Sequence, residues 1–221
     1  MNSPLRIAAW ICMTLAMLNG LTSCDGMFDG LYDTEVPKTE TAISSKQFSV
    51  NASSYSQWVY INLHDMSINN IDITTDSTTG EANFEEPEKW DIAIHKFNLK
   101  TNNGSAIETE FYDIDELKAS GSLPDSTFRP DTWYDSKVII DLSGMMSGNI
   151  KYCPSNVNDV VGRWITSSGM PPTYTTTDKV YVIRLNDGTD VAIHFDSYMD
   201  NDGTKGYITC SYEYPLTFDQ K

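Results

Sequence analysis

Two alternating runs joined by a short turn constrain the fold of this chain most strongly. Residues 180–185 (Val-Tyr-Val-Ile-Arg-Leu) and residues 191–195 (Val-Ala-Ile-His-Phe) flank the tripeptide Asn-Asp-Gly at 186–188. β-Branched and aromatic residues are typical of strands, and an Asp-Gly pair between two such runs is typical of a β-hairpin. The segment therefore predicts two strands joined by a tight turn.

Similar runs recur along the chain. They occupy residues 57–63, 90–95, 138–140 and 207–214. Helical periodicity is weak, and residues 113–120 are the one candidate for a short helix. We therefore predict one mainly β domain with few short helices, built as a single curved antiparallel sheet or as a β-sandwich.

The first 23 residues have the composition of a secretory signal. One charged side chain, Arg6, precedes an apolar run over residues 7–18, which is too short for a resident transmembrane helix. Leu-Thr-Ser then precedes Cys24, and this tetrapeptide resembles a bacterial lipobox, in which the cysteine becomes the acylated first residue. The alternative is a plain secretory signal that happens to contain a cysteine.

Three segments follow from these patterns. We predict a lipoprotein signal peptide over residues 1–23, an acidic flexible tether over residues 24–47 and a β domain over residues 48–217. Acidic residues lie close behind Cys24. Such a stretch resembles a surface-export signal of lipoproteins in Gram-negative anaerobes, and a solvated tether explains it equally well.

The charge balance excludes two kinds of partner. Lys and Arg total 15 and Asp and Glu total 31, so the formal net charge is −16. Nucleic acid is not expected as a partner, because phosphate contacts need clustered Lys and Arg. A polybasic contact with an anionic membrane is not expected either, so membrane attachment would depend on acyl chains at Cys24.

Two cysteines remain in the predicted domain once the signal is removed and Cys24 is acylated. Cys153 and Cys210 could form a disulfide in an exported protein. Cys210 shares a strand face with Ile208 and Tyr212, which predicts that its side chain points into the core, where a free thiol packs well. The disulfide and the two free thiols therefore both stay open, and no Cys/His spacing indicates zinc.

Three methionines lie in segments that do not resemble strands. Met145 and Met146 are adjacent within a glycine-flanked stretch over residues 141–149, and Met170 stands directly before two prolines. Gly, Ser and Pro favour loops or short hairpins at both places. Methionine is usually core filler, so the residues alone favour side chains that cap the ends of the sheet.

No catalytic motif stands out, and an enzyme is not expected. The chain lacks GxSxG, HExxH, Walker A and a helix-opening GxGxxG. Its three histidines, His64, His95 and His194, are far apart in strand-like runs, and a structural or surface role is expected for each. A hydrolase that uses its acidic residues stays as an alternative.

Four further segments carry a family resemblance. They are residues 50–60 (Val-Asn-Ala-Ser-Ser-Tyr-Ser-Gln-Trp-Val-Tyr), residues 89–104 (Lys-Trp-Asp-Ile-Ala-Ile-His-Lys-Phe-Asn-Leu-Lys-Thr-Asn-Asn-Gly), residues 172–174 (Pro-Thr-Tyr) with 179–184 (Lys-Val-Tyr-Val-Ile-Arg), and residues 205–209 (Lys-Gly-Tyr-Ile-Thr) with 212–216 (Tyr-Glu-Tyr-Pro-Leu). Together they resemble the HmuY-like family of haem-binding, hemophore-like bacterial lipoproteins. The Trp-Asp…His and Tyr-Pro segments are the most specific of them.

The resemblance implies a fold, a cofactor and a location. An HmuY-like protein has an all-β fold with few helices, and it is exported as a lipoprotein anchored in the outer membrane, exposed at the cell surface or released from it. The implied cofactor is haem b (iron protoporphyrin IX), held between loop-borne hairpins. The implied partner is a TonB-dependent outer-membrane receptor, which accepts the haem for iron acquisition.

The resemblance also implies two iron ligands. Family members hold haem iron with two axial side chains, His in the best-known pattern and Met in others. The first ligand segment reads Gly-Met145-Met146 here, and the second reads Gly-Met170-Pro-Pro-Thr-Tyr174. Met145 and Met170 are therefore the expected axial ligands, with Met146 as the alternative to Met145. Trp164 and Tyr174 are expected to line the apolar slot that haem needs.

A different class of function would use the aromatic residues without haem. The chain contains 12 Tyr and 5 Trp, which would suit a glycan- or protein-binding surface on a lipoprotein. A haem titration separates the two classes, because sugar binding produces no Soret band.

Overall fold

The computed structural model describes residues 42–43, 46–76 and 82–219. The predicted signal peptide, Cys24 and most of the predicted tether lie outside these residues. Within them the chain is mainly β, as predicted. The strands are β1 (Ala42–Ile43), β2 (Gln47–Asn51), β3 (Gln57–Asn62), β4 (Ser67–Asp72), β5 (Thr74–Thr75), β6 (Ala82–Asn83), β7 (Ile92–His95), β8 (Asn98–Thr101), β9 (Ser105–Glu108), β10 (Arg129–Pro130), β11 (Thr132–Gly144), β12 (Asn149–Val157), β13 (Ile165–Ser168), β14 (Thr173–Thr176), β15 (Val180–Arg184), β16 (Asp190–Met199) and β17 (Lys205–Glu213).

Two antiparallel sheets form the body of the domain. One has seven strands in the order β1-β2-β17-β16-β15-β9-β10, and the other has four strands in the order β4-β3-β7-β8. β15 and β16 form the hairpin predicted around the Asn-Asp-Gly turn, with Val180 opposite His194. The hairpin is therefore confirmed, and its register places the alternating side chains of the two strands opposite each other.

The two sheets share one hydrophobic core. Val59 and Ile61 of β3 are fully buried in the same cluster as Ile183 of β15 and Ile193 of β16. Removing each such side chain from water contributes about 1.5–3 kcal/mol before the entropy of ordering is subtracted. Side chains of both sheets meet in one cluster, so the fold is the sandwich-like form of the predicted class.

The predicted short helix is confirmed as α1 (Ile114–Ser120). Asp113 caps it, because its Oδ1 accepts hydrogen bonds from the N–H groups of Asp115 (2.7 Å) and Glu116 (3.3 Å). Leu117 is buried against side chains of β9, β15 and β16 on the outer side of the seven-stranded sheet. In the part of the chain that the structure describes, no helix has the length and apolar character needed to cross a membrane.

Two hairpins form separate two-stranded sheets. β11 and β12 make the Met145 hairpin, and β13 and β14 make the Met170 hairpin. β11 is 13 residues long and exceeds the run predicted over 138–140, because polar residues on either side of that run also pair with β12, through a ladder interrupted by bulges. Val138 and Cys153 lie opposite each other in this hairpin and pack against Trp58 of β3.

The described fold extends past both ends of the predicted domain. β1 lies within the segment predicted as a tether, and its Ala42 pairs with Ser49 of β2. Phe218 follows the predicted end at residue 217 and packs with the cluster around Leu117. A strand of two residues and a single terminal ring are weak sequence signals, which is why neither was predicted.

The disulfide alternative is wrong for this structure, because Cys153 and Cys210 are both free and buried. Cys153 lies in the cluster with Trp58, whereas Cys210 lies in the core between the two sheets. A bridge would require both thiols to leave these sites. Burial raises the pKa of Cys153 to about 11 and also raises that of Cys210, so both are unreactive thiols at neutral pH.

His64 forms hydrogen bonds that link separate segments of the domain. Its Nδ1 lies 3.1 Å from Oδ2 of Asp91, and its Nε2 lies 3.1 Å from Oδ2 of Asp187 in the β15–β16 turn. Asp91 also accepts the Leu63 N–H (2.6 Å). The hydrogen bonds to Asp187 and Asp91 raise the pKa of His64 above its ordinary value of 6.5, so the protonated ring stabilises this junction.

The stability contributed by His64 should decrease as the pH rises. Its folded pKa is raised, so the contribution is fully present below the unfolded pKa of about 6.5 and is lost as the pH rises through the folded pKa. The side chain is 48% exposed, which limits the effect to below about 1 kcal/mol. In urea unfolding, we expect the stability difference between wild type and His64→Gln to be larger at about pH 5.5 than at about pH 9. A difference that stays constant or grows with pH would contradict this assignment.

Candidate functional site

Two glycines shape the tip of the Met145 hairpin. A 3-10 turn over Met145–Ser147 joins the strands, and Gly148 follows with φ of +77° and an N–H that donates to the Met145 carbonyl (3.0 Å). Gly144 approaches Asn149 so closely that a Cβ would lie 2.3 Å from the Asn149 carbonyl oxygen. Both positions require glycine, so the backbone itself holds the two methionines on a tight turn.

The tip of the Met170 hairpin is built in a similar way. β13 and β14 pair over four residues each, and Gly169 follows β13 with φ of +82°. Met170 and two prolines complete the connection between the strands. Met170 therefore lies in a loop, as predicted, and that loop connects the strands of a short hairpin.

Two of the three methionine side chains on these tips are open to solvent. Among the large apolar side chains of the described residues, Met146 and Met170 are the most exposed, at 82% and 88%, and Met145 is partly exposed. Exposed side chains gain little from packing, so the interpretation of these methionines as core filler is wrong for Met146 and Met170. Their thioethers are soft, neutral donors that could bind a ligand from outside the protein.

Trp164 lies in the core at the base of the Met170 hairpin. It is 1% exposed, its ring stacks on Phe195 at 4.4 Å between centroids, and its indole N–H donates to the Phe97 carbonyl (3.0 Å). A ring that is enclosed in this way offers no surface to a ligand. Trp164, which was expected in the slot, is therefore a packing residue in this structure.

Tyr174 is the expected slot residue that remains partly exposed. Its ring lies 5.0 Å from that of Tyr198, which in turn lies 5.9 Å from the ring of Trp164. Sequence reasoning missed Tyr198, because the pairing of β16 with β17 shifts register between Phe195 and Ser197, which interrupts the alternation. Trp164 and Tyr174 thus meet around Tyr198, whereas Met145 and Met146 belong to the other hairpin.

None of the three histidines is on the tip of the Met145 hairpin or of the Met170 hairpin. His95 is buried, its Nε2 donates to the Tyr55 carbonyl (2.8 Å), and burial lowers its pKa to about 4, so it is neutral and structural. His194 bonds to Asp196 (2.7 Å). Among residues 42–43, 46–76 and 82–219, no group of three or more His, Cys, Asp and Glu side chains is placed to hold a metal ion.

The fold and the two tips define an antiparallel β-sandwich that carries two glycine-shaped hairpins with solvent-open methionines. Comparison with known proteins assigns the chain to a family. The model of the HmuY protein family matches residues 54–212. The chain therefore belongs to the HmuY family, as the resemblance indicated. No curated protein matches the chain.

Solved structures give the same fold. A protein from Bacteroides fragilis NCTC 9343, assigned as a lipoprotein, is 37% identical with a TM-score of 0.71, and the match covers 79% of this chain and 93% of that one. A protein from Bacteroides vulgatus ATCC 8482, assigned as HmuY-like and haem-binding, is 37% identical with a TM-score of 0.70 over 79% and 92%. The apo HmuY analogue of Tannerella forsythia shares the fold at 23% identity, with a TM-score of 0.64 over 79% and 97%.

Proposed function

We propose that this chain is a haem-binding outer-membrane lipoprotein, that Met145 and Met170 are the axial ligands of haem b, and that it passes the haem to a TonB-dependent receptor. Membership of the HmuY family and the haem-binding assignment of the Bacteroides vulgatus protein support haem as the ligand. The observation that carries the ligand proposal is the position of a methionine at the tip of each of the two hairpins, with Met170 exposed and Met145 partly exposed.

The residues present suit haem. Haem is a large apolar plate, and two axial ligands must reach its opposite faces. Met145 and Met170 lie on two hairpins that share no strand pairing, so each can serve one face. Binding would also bury apolar side chains that are exposed here, and Tyr174 would add part of an apolar wall.

Transport rather than turnover is the proposed activity. Residues 142–150 and 165–177, which form the two tips and their flanks, contain no His, Asp or Glu. Peroxidase-type chemistry at haem needs an acid or base close to the iron, and these segments provide neither. The nearest carboxylates in sequence, Asp141 and Asp178, already accept hydrogen bonds from Ser143 and Thr176 (2.8 Å each), which favours a carrier over an enzyme.

Single substitutions test the ligand proposal. Met145→Ala and Met170→Ala should each weaken haem binding by roughly tenfold or more, about 1.4 kcal/mol, and should shift the Soret and Q bands, because each removes one axial ligand. Absorbance during a haem titration measures both effects. Met146→Ala is the matched control and should bind haem like the wild type. If Met146→Ala weakens binding and Met145→Ala does not, Met146 is the ligand; if all three variants bind normally, methionine ligation is wrong.

The anchor is proposed at Cys24, behind a signal peptide over residues 1–23 and ahead of the tether that leads to the β domain. Cys24→Ala should release the protein from the membrane fraction, because acyl chains and not charge would hold it there. Cell fractionation with a high-salt wash measures this, and Cys12→Ala, within the signal, is the control that should stay attached. A Cys24→Ala protein that still pellets after the wash would exclude a lipid anchor.

A further inference from the structure

A second concave surface lies between the four-stranded sheet and the Met145 hairpin. This cleft, called the Trp133 cleft below, has a volume of about 630 Å³ and is lined by residues just before β7, by β8 and its following turn, and by β10, β11 and β12. None of the three tip methionines is among its lining residues. It is therefore distinct from the proposed haem ligands.

Aromatic rings form one part of the Trp133 cleft. Trp133 is 59% exposed, and its indole N–H donates to Oδ1 of Asp135 (3.0 Å). Because this N–H is already bonded, Trp133 can contact a ligand through the faces of its ring. Trp90 and Phe84 also line the cleft. An exposed tryptophan whose polar atom is already bonded suits stacking on an apolar surface.

Neutral polar groups form the other part. Asn102, Asn103 and Asn156 line the cleft, and side-chain amides both donate and accept hydrogen bonds. Asp131 is held in place, because its carboxylate accepts from the Thr101 N–H (2.6 Å), the Thr101 hydroxyl (3.0 Å) and the Asn158 amide (2.9 Å). Asn102 is also held in place, because its amide N–H donates to the Trp90 carbonyl (2.8 Å) and its Oδ1 accepts from the Asn103 amide (3.2 Å). Each of these two amides keeps a second N–H for a ligand.

The charged groups of the cleft disfavour ionic ligands. Lys100 is the one cation among the lining residues, and its ammonium lies 4.5 to 5.7 Å from the centres of four aromatic rings. It also donates to the Tyr60 hydroxyl (2.9 Å) and to Glu86. The chain's own ammonium thus fills the aromatic cage that a ligand cation would need. An anion such as a haem propionate is also disfavoured, because Lys100 is already paired and the carboxylates of Glu86 and Asp131 lie nearby.

We propose that the Trp133 cleft binds a neutral saccharide. A sugar ring presents an apolar C–H face, which would stack on Trp133, and hydroxyl groups, which would bond to Asn102, Asn103 and Asn156. Most residues that line the cleft are polar, and the aromatic rings of Phe84, Trp90 and Trp133 add an apolar surface, which matches the many hydroxyl groups and the apolar ring face of a sugar. This activity adds to the proposed haem binding and does not depend on it.

Calorimetric titration of the purified protein with maltohexaose, cellohexaose, chitohexaose and an N-acetyllactosamine-terminated glycan tests the proposal. We expect at least one of these neutral probes to bind, and Trp133→Ala to weaken that binding at least tenfold. Asn156→Ala should weaken it less, because it removes one hydrogen-bonding group from an exposed strand position. Tyr112→Ala is the matched control, since Tyr112 is also 59% exposed and does not line the cleft.

The haem variants separate the two sites. Met145→Ala/Met170→Ala should bind the saccharide like the wild type, and Trp133→Ala should titrate with haem like the wild type. The proposal is overturned if no probe binds at millimolar concentration, if Trp133→Ala and Tyr112→Ala bind equally well, or if saccharide binding is lost with the methionines. Thermal unfolding of each variant checks that a loss of binding is not a loss of fold.

Discussion

Wild-type protein should bind ferrous haem at least about tenfold more tightly than ferric haem, and Met145→Ala/Met170→Ala should lose low-spin ligation in both states. A thioether is a weak, neutral donor that does not offset the additional positive charge of Fe(III), and methionine ligation raises the potential of haem iron. By linkage, each tenfold ratio between the affinities for ferrous and ferric haem raises the reduction potential of the bound haem by about 59 mV, because the couple transfers one electron. Haem titrations in air and under dithionite, with spectroelectrochemistry of the complex, measure both quantities.

The double variant Met145→His/Met170→His is the counterpart of this experiment. Imidazole tolerates both oxidation states, so this variant should bind ferric haem tightly and have a lower potential than the wild type. Met146→His alone should leave the potential unchanged. Equal wild-type affinity for ferric and ferrous haem, together with an unchanged potential in the double His variant, would rule out ligation by two methionines.

Trp164→Ala should destabilise the fold by about 3–5 kcal/mol, the usual cost of truncating a fully buried tryptophan. The substitution removes the stack on Phe195 and leaves the Phe97 carbonyl without its indole donor. Urea unfolding measures the loss, and Trp133→Ala, an exposed tryptophan, should change the stability by no more than about 0.5 kcal/mol.

A second substitution at Trp164 distinguishes a packing role from contact with haem. Trp164→Phe keeps an aromatic ring in the core and loses the hydrogen bond to Phe97, which should cost about 1–3 kcal/mol. Its haem spectrum should match that of the wild type if Trp164 acts through packing alone. An altered Soret band in a folded Trp164→Phe protein would show that the Trp164 ring contacts the haem, as expected from the sequence.

Local patterns predicted the body of the fold well. The β15–β16 hairpin follows from alternation around Asn-Asp-Gly, and α1 follows from the short helical run that begins behind Asp113. Each signal is confined to one short continuous segment, residues 180–195 and residues 113–120, so no knowledge of distant contacts is needed. The sandwich form was left open, because a strand's pattern shows that one face is buried but not which sheet covers it.

Features that depend on distant contacts were not predictable in this way. Trp164 is enclosed by Phe195 and Phe97, which lie far from it in sequence. The separation of Cys153 and Cys210 likewise depends on which cluster each strand joins. The Trp133 cleft brings together segments between residues 84 and 156, which only the folded structure places side by side. Its exposed ring, Trp133, lies among polar residues of β11, so no apolar pattern in the sequence pointed to it.

The backbone of each hairpin tip is shaped by glycine and does not rely on the methionine side chains. Gly144 and Gly148 shape one turn and Gly169 contributes to the other, while Met146 and Met170 extend into solvent. Substitution at 145, 146 or 170 can therefore change the donor atom offered to a metal while leaving the sheets and their core intact. Under the proposed ligation, exchange of thioether for imidazole at these positions would retune the oxidation state that the bound haem iron prefers without a new scaffold.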